Sequence, residues 1–466
     1  MIVPQNRLLF WFALVVLPFA LLAAIEPAAL LLALACIAGL VLVALGDAVG
    51  AGRSLHGIGV ELPPVVRLSK DREAKIELRL RNQLQKQKRL RVALALPAEF
   101  TSPQEDLPVQ LPADTEWSRL QWPCTPLQRG SYVLHAAYVE GASPLGFWAV
   151  RQVMPARSEL RVYPNLLADR KSLAALFLNR GAFGLHAQRQ VGKGRDFEKL
   201  REYVPGDDYA DVHWKATARR GKPITKVFQI EKTQEVYVVI DASRLSARTL
   251  GRDDRESIPS SGSGVQPGAV TTESRTLNPS VLERYLTAAL ILGLAAEQQG
   301  DLFGLLTFTN KVEKFVRAKN GKAHYSVCRD ALYTLQPKIV SPDFDELCTF
   351  LRLRLRRRSL LFFLTSLDDA VIAENFVRNM DLIRRQHLVL VNMAQPPGVE
   401  PAFANPNVTT LDHLYQHLAG HLQWQKLREL EKVLHRRGVQ FSLLDNERLS
   451  AELVTQYLNV KRRQLL

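Results

Sequence analysis

The chain has 466 residues with a formal net charge of +15, of which 23% are charged and 47% hydrophobic. This balance excludes a largely disordered chain, and the length predicts about three units at roughly 150 residues each. The excess of positive charge suits nucleic acid, an acidic partner or an anionic membrane surface.

Residues 8–25 and 28–45 are apolar throughout and are separated by Glu26 and Pro27. At 1.5 Å per residue each run spans about 27 Å, close to the thickness of a bilayer core. We therefore predict a transmembrane helical hairpin over residues 1–50. The flanking Arg7 and Arg53 place both ends in the cytoplasm by the positive-inside rule. A cleaved signal peptide is the alternative. Its apolar region is normally about 7–15 residues, and a signal peptide would not be followed by a second apolar run.

Residues 55–165 have a short, alternating pattern of apolar and polar side chains, for example at 74–80, 90–94 and 132–134. Proline and glycine separate these runs. Period-two runs with turn signals at this spacing predict an antiparallel β-sandwich. No catalytic constellation stands out there, so we expect a structural or docking module.

Residues 233–466 alternate between continuous apolar runs and longer segments with helical spacing. The predicted buried strands are 236–240, 302–308, 360–365, 388–391 and 440–444, and the predicted helices include 282–298, 344–355, 371–385 and 411–437. This alternation predicts a doubly wound α/β domain with a parallel sheet. An insertion at 250–280, rich in Ser, Gly and Pro, is predicted to be a mobile loop near the carboxyl edge of that sheet.

Residues 166–232 do not follow a simple period and carry a dense cluster of charged and aromatic side chains. Pro205, Gly206 and Asp207 predict a turn. Charge-assisted pairs are predicted from Arg201, Asp207, Asp208 and Arg219. Trp214 is expected to be a buried apolar anchor. A purely structural ion-pair network that locks this stretch onto the next domain is an equally good interpretation.

The run Arg-Glu-Tyr-Val-Pro-Gly-Asp-Asp at 201–208, followed by His-Trp-Lys-Ala-Thr-Ala-Arg at 213–219, resembles the signature of the domain-of-unknown-function family fifty-eight. Residues 129–132 and 143–148 of the β-rich region resemble that family too. The matching positions are Arg201, Tyr203, Gly206, Asp207, Asp208, Trp214 and Arg219. Two positions depart from it, because the family usually has Arg at Ala210 and Asp at His213.

The resemblance implies a bacterial inner-membrane protein with cytoplasmic domains, the last of them von Willebrand factor A-like. It also implies a MoxR-type AAA+ ATPase as partner in protein complex assembly, together with an unknown protein client, and no established catalytic activity. No Walker A motif, G-x-S-x-G or H-E-x-x-H occurs in the chain, so an ATPase, esterase or zincin of its own is not indicated. We expect a non-enzymatic scaffold or adaptor that does not bind nucleic acid. The alternative is a metal-dependent enzyme, hydrolase-like, that uses Asp241 and the signature carboxylates.

Domains of the von Willebrand factor A type often bind Mg²⁺ through D-x-S-x-S after the first strand. Here Asp241 and Ser243 are present, but Leu245 stands at the third position. Asp368 is the remaining candidate ligand, since Ser366 stands where a carboxylate is expected. A weak Mg²⁺ site formed by Asp241, Ser243 and Asp368 is therefore one expectation. A vestigial loop, capped by hydrogen bonds of Ser and Asp, is the other.

Three further features have ordinary explanations. His413, His417 and His421 share one helix face, but no carboxylate completes a metal set, and a solvated face is expected. The basic run at 351–358 is interpreted as the basic end of a helix, where cations suit the dipole. Four scattered cysteines without a C-x-x-C pair indicate a reducing compartment.

Overall fold

The computed structural model describes residues 1–25, 30–167, 169–171, 173–174, 191–205, 207–229, 234–249, 280–401 and 410–463. The chain divides into two compact units, Met1–Asn165 and Leu166–Leu466. The predicted division into four segments is finer than this one and stays a prediction. The predicted mobility of 250–280 falls almost wholly on residues outside the described part.

The first unit begins with a short strand and two apolar helices, β1 (Ile2–Pro4), α1 (Asn6–Ile25) and α2 (Leu30–Ala51). Among the described residues one helix, α2, is long and apolar enough to cross a membrane, with a mean hydropathy of 2.5. The part of α1 described with its side chains, Asn6–Leu22, is apolar but shorter. The predicted two-span hairpin stays a prediction, and its Glu26–Pro27 turn lies outside the described residues.

The rest of the first unit is β-rich. Its strands are β2 (Ile58–Glu61), β3 (Val65–Ser69), β4 (Ala74–Asn82), β5 (Lys88–Leu94), β6 (Phe100–Thr101), β7 (Leu107–Leu111), β8 (Trp117–Pro126), β9 (Gly130–Ala142) and β10 (Trp148–Tyr163). One sheet has the order β1-β10-β9-β5-β7 with β3 also on β10, and the other has the order β2-β4-β8-β6. Buried side chains from both sheets form one core, among them Leu78, Val92, Trp122 and Leu160. The one departure from an all-antiparallel domain is β3, which pairs in parallel with β10.

A buried carboxylate joins α2 to this β-rich unit. Asp47 is 5% exposed and accepts hydrogen bonds from the Ser143 hydroxyl at 2.5 Å and the Leu145 and Phe147 amides at 3.0 and 3.2 Å. The Trp148 indole donates to the Ala44 carbonyl oxygen at 2.8 Å. The segment 143–148, singled out above for its resemblance, therefore fixes the end of the apolar helix.

The second unit opens with an antiparallel hairpin of β11 (Val191–Glu202) and β12 (Ile224–Gln229), with the short helix α3 (Trp214–Arg220) between them in the chain. The sequence pattern did not predict this pair of strands. Every described residue of the signature segment, defined here as residues 201–219, lies at the end of β11 or between the two strands.

A six-stranded sheet forms the centre of the second unit. Its strands are β13 (Glu235–Asp241), β14 (Leu302–Phe308), β15 (Val312–Lys319), β16 (Leu360–Leu364), β17 (Leu388–Ala394) and β18 (Gln440–Leu444). They lie in the order β15-β14-β13-β16-β17-β18. All neighbours are parallel except β14 and β15. The five strands predicted from apolar runs are present, and β15, which is only half-buried, is an addition.

Helices cover both faces of this sheet. They are α4 (Val281–Gln298), α5 (Lys322–Leu332), α6 (Phe344–Arg354), α7 (Ala370–Ile383), α8 (Leu411–Arg436) and α9 (Leu449–Arg463). Side chains of β13 alternate between two cores: Val236, Val238 and Ile240 pack with α4 and α9, whereas Tyr237 and Val239 pack with α6 and α7. Because both faces are buried, the strands are continuous apolar runs.

Candidate functional site

The carboxyl edge of the sheet carries a buried polar cluster centred on Asp241, the last residue of β13. The Asp241 side chain is fully buried. Its Oδ1 accepts a hydrogen bond from the Ser243 amide at 2.8 Å, and its Oδ2 accepts one from the Thr365 hydroxyl at 2.6 Å. Thr365 directly follows β16, the strand beside β13, so parallel pairing brings the two side chains together.

Burial dominates the electrostatics of this cluster. It raises the pKa of the Asp241 carboxyl, and the hydrogen bonds from Thr365 and Ser243 act in the opposite direction. Burial also raises the pKa of the Tyr285 hydroxyl, which accepts a hydrogen bond from the Ala394 amide at 3.1 Å. Asp241 and Asp368 both raise the pKa of Tyr285 further. Two carboxylates from different strand ends therefore act electrostatically on one buried tyrosine.

Asp368 is paired with an arginine. Its side chain is 7% exposed and forms an ion pair with the guanidinium of Arg248. Its second oxygen, Oδ1, is buried without a hydrogen-bond partner among the described residues. Arg248 lies at the base of the insertion, where its carbonyl oxygen accepts a hydrogen bond from Val281 and Thr249 bridges to Ser280. The Arg248–Asp368 pair therefore ties the base of the insertion to the loop after β16.

These residues do not fit a Mg²⁺ site well. Mg²⁺ needs near-octahedral oxygen ligands, whereas both oxygens of Asp241 already accept hydrogen bonds from the protein. Leu245, at the position of an expected ligand, is buried. No group of three or more His, Cys, Asp or Glu side chains suited to a metal occurs among the described residues. The predicted set of Asp241, Ser243 and Asp368 stays a prediction, and the arginine already supplies Asp368 with a cation.

The signature segment is built around Asp207. Its carboxylate pairs with Arg201 at 2.6 Å and accepts a hydrogen bond from the Val204 amide at 3.1 Å. The Asp207 amide in turn donates to the Val204 carbonyl oxygen at 3.0 Å. These bonds form the turn that was predicted at 205–207, although Gly206 itself lies outside the described residues. Of the four residues that were predicted to form charge-assisted pairs, Arg201 and Asp207 pair with each other.

Two side chains cap short helices in this segment. Asp208 accepts from the Ala210 amide at 3.2 Å and begins the 3-10 helix Tyr209–Asp211. The Nδ1 atom of His213 accepts from the Ala216 amide at 3.0 Å and begins α3. Aspartate, usual in the family at this position, is a preferred N-cap residue. His213 therefore serves as the cap in place of the usual carboxylate.

The aromatic side chains of the segment face outward. Trp214 is 66% exposed and Tyr209 is 74% exposed, with Val204 at 47%. The rings of Tyr203 and Tyr209 lie against each other with their centroids 6.0 Å apart. The expectation that Trp214 is a buried anchor is therefore wrong. It stands at the first position of α3, a two-turn helix that packs on the hairpin through its other side.

Arg219 is exposed in the last turn of α3, where a cation suits the helix dipole. No ion pair of Arg219 is found among the described residues. Among the described residues, Arg201 pairs with Asp207, and Asp208 caps the 3-10 helix. The exposed apolar side chains Val204, Tyr209 and Trp214 define the candidate interaction surface.

Of the three histidines that were predicted to share a face of α8, His421 has side-chain contacts of its own. His421 stacks on Trp424 with ring centroids 5.8 Å apart and contacts Gln425 at 3.0 Å.

Three residues at the Asp241 site had no part in the sequence prediction, namely Thr365, Tyr285 and Arg248. The position of Thr365 at a strand end was a usable signal. Nothing in the local pattern indicated Tyr285 or Arg248, because packing in three dimensions brings them to Asp241 and Asp368.

Comparison with known proteins found one family that part of this chain matches. Residues 199–258 and 271–401 match the family described as "Protein of unknown function DUF58". No curated relative matches the chain.

Three solved structures show limited similarity. The conserved hypothetical protein BatB from Bacteroides thetaiotaomicron is 14% identical, covers 49% of this chain and 99% of its own, and has a TM-score of 0.28. An aerotolerance-related membrane protein from Bacteroides fragilis NCTC 9343 is 13% identical, covers 48% of this chain and 98% of its own, and has a TM-score of 0.26. Proximal thread matrix protein 1 from the mussel byssus is 11% identical, covers 48% of this chain and 46% of its own, and has a TM-score of 0.24. At these scores the three structures carry no argument about fold or function.

The residues that match the model of DUF58, a family of proteins of unknown function, include the signature segment, the Asp241 cluster and the Arg248–Asp368 pair.

Proposed function

We propose that this protein is a membrane-anchored scaffold that presents the signature segment to a MoxR-type AAA+ ATPase during assembly or maturation of a protein client. The observation that carries the proposal is the exposure of Tyr209 and Trp214 on a segment held by hydrogen bonds. Exposed aromatic side chains on a fixed backbone are typical of interaction surfaces, because they bury a large area at little cost in conformational entropy.

Local hydrogen bonds support a preformed surface. The Arg201–Asp207 pair fixes the turn, and the Asp208 and His213 caps set the start of the helices that carry Tyr209 and Trp214. A surface ordered before binding loses less entropy when a partner docks. Arg219 and Arg220 border the surface and would favour a partner with acidic groups beside an apolar pocket.

We also propose a more specific fold for the second unit. The second unit is taken to be a doubly wound, von Willebrand factor A-like domain. Its support is the five neighbouring parallel strands β14, β13, β16, β17 and β18. Helices cover both faces of the sheet, and a polar cluster lies at its carboxyl edge.

The proposed location is the bacterial inner membrane, with the β-rich part of the first unit and the whole second unit in the cytoplasm. Its support is the apolar helix α2 together with Arg7 and Arg53 on either side of the apolar region. A reporter enzyme fused after Leu466 should be active in its cytoplasmic form only. Activity of a periplasmic reporter at that position would reverse the orientation.

The docking role is tested by capture of a purified MoxR-type ATPase from the same genome by the full chain in detergent. We expect Tyr209→Ser and Trp214→Ser to lower capture at least tenfold while the melting temperature barely moves. Trp117→Ser is the matched control, since Trp117 is an exposed tryptophan of the first unit at 43%. Equal capture by wild type and Trp214→Ser, or no capture by wild type, would reject the role.

The metal-dependent hydrolase has no specific observation in its favour. Asp241 is buried and hydrogen-bonded within the protein, and Asp207 and Asp208 are committed to a turn and a helix cap. We therefore do not propose it.

A further inference from the structure

The amino edge of the six-stranded sheet is strongly basic. Because β16, β17 and β18 are parallel, the segments that enter them meet at this one edge. The C-terminus of α9 reaches the same edge, where Lys461 contacts Asp301, the residue before β14, at 2.8 Å. Together the segments 354–359, 381–387, 435–439 and 461–463 hold eleven Lys and Arg residues and a single acid, Asp381.

Most of these cations are exposed. Arg356, Arg357 and Arg358 are exposed in the loop before β16, as are Arg385 before β17 and Arg436 before β18. Asp381, the acid within these segments, pairs with both Arg384 and Arg437. Glu235, at the start of β13, accepts a hydrogen bond from the Ser359 hydroxyl at 3.4 Å. Asp301, buried beside this edge, is occupied by Lys461 and the Tyr457 hydroxyl. The edge therefore keeps a large excess of positive charge.

The helix dipole does not account for this excess. The edge receives the C-termini of α6, α7, α8 and α9, and each helix end carries the equivalent of about half a negative charge. One cation per helix would already exceed that. The opposite, carboxyl edge holds acids and bases together, with Asp343, Glu346 and Asp369 beside Arg244 and Arg248. The excess of positive charge is therefore a feature of the amino edge.

We infer that the amino edge of this sheet binds the anionic phospholipid headgroups of the membrane that α2 enters, an inference that rests on the proposed membrane anchoring. Guanidinium groups bind phosphate with paired hydrogen bonds, and each cation near an anionic surface adds to the attraction. An apolar helix in the same chain keeps this edge at high effective concentration near a bilayer. The edge loops carry no aromatic side chains of the kind that stack on nucleic acid bases. In this arrangement Asp241 and Arg248, at the other edge, face away from the membrane.

The test uses the full chain in lipid nanodiscs, some of phosphatidylcholine alone and others containing phosphatidylglycerol as well. Hydrogen exchange is measured in peptides that cover residues 354–359 and 384–387. We expect exchange to slow at least fivefold in the anionic discs at low salt and to recover at high salt, because exposed charges are screened.

The edge variant combines Arg356→Gln, Arg357→Gln, Arg385→Gln and Arg436→Gln and should lose this protection. A matched variant with Lys311→Gln, Arg378→Gln, Lys426→Gln and Arg448→Gln removes four exposed cations elsewhere in the unit and should keep it. Equal exchange in the two kinds of disc, or protection that appears only when RNA is added, would overturn the inference. Failure of the chain to enter discs at all would instead reject the proposed membrane anchoring.

Discussion

The guanidinium of Arg248 pairs with the carboxylate of Asp368, which lies 120 positions further along the chain. The pair places a fixed positive charge beside a buried carboxylate at the carboxyl edge of the sheet. An internal cation of this kind removes the need for a bound one, because an unpaired buried carboxylate is costly.

Replacing Arg248 should therefore create an affinity for divalent cations. We expect Arg248→Ala to melt at a lower temperature than wild type. Millimolar Mn²⁺ or Mg²⁺ should raise the melting temperature of this variant and leave that of wild type unchanged. Arg244→Ala is the matched control. Arg244 lies on the same edge, but its pair with Asp369 is longer, at 3.9 Å, and its side chain is half exposed. Stoichiometric Mg²⁺ binding by wild type in calorimetry, or no response from Arg248→Ala, would contradict this account.

Two tryptophans should differ sharply in their effect on stability. Trp214→Ala should change the free energy of unfolding by no more than about 0.5 kcal/mol, because the side chain is mostly exposed. Trp122→Ala in the core of the first unit, where Trp122 is 1% exposed, should cost about 3–5 kcal/mol. Thermal melting of the full chain in detergent checks both. A Trp214→Ala protein that melts as early as Trp122→Ala would show that Trp214 packs against something.

Asp47 should hold the end of α2 on the β-rich unit. Asp47→Ala leaves three donors, the Ser143 hydroxyl and the Leu145 and Phe147 amides, without their acceptor. Each donor left buried costs about 1–3 kcal/mol. We expect faster hydrogen exchange at 143–149 with no change in the second unit. Glu61→Ala, which removes an exposed carboxylate, is the control and should leave exchange at 143–149 as in wild type.

His387 should make the second unit sensitive to acid. Burial lowers the pKa of its imidazole to about 4, and its Nδ1 accepts from the Ser359 amide at 3.2 Å. The ordinary value in an unfolded chain is about 6.5, so the unfolded state binds the extra proton between these two values. This residue's contribution is fully present above about pH 6.5 and is lost as pH falls toward 4, by at most about 1.4 kcal/mol per pH unit. His387→Asn, which keeps an acceptor near Nδ1, should flatten the curve of melting temperature against pH in that window. Identical curves for the two proteins would rule out His387 as the cause.

The sequence by itself determined the elements whose signal is local. Strands such as 236–240 and 360–365 are buried on both faces, so they are continuous apolar runs and were predicted within a residue or two of β13 and β16. The apolar helix α2 and the turn at Asp207 were also predicted from the local sequence. In contrast, β15 is half-buried and the β11–β12 hairpin has irregular register, so neither gave a clear period.

Tertiary structure alone decided which side chains meet and which remain exposed. A tryptophan amid charges has the same local pattern whether it is buried or not, and only the packing of α3 on its hairpin left Trp214 outside. Parallel pairing of β13 with β16 brought Thr365 to Asp241, and the tertiary fold also brought Arg248 to Asp368, 120 positions further along the chain. The arginines of the amino edge are far apart in sequence and share one surface because parallel strands all begin at the same end of a sheet.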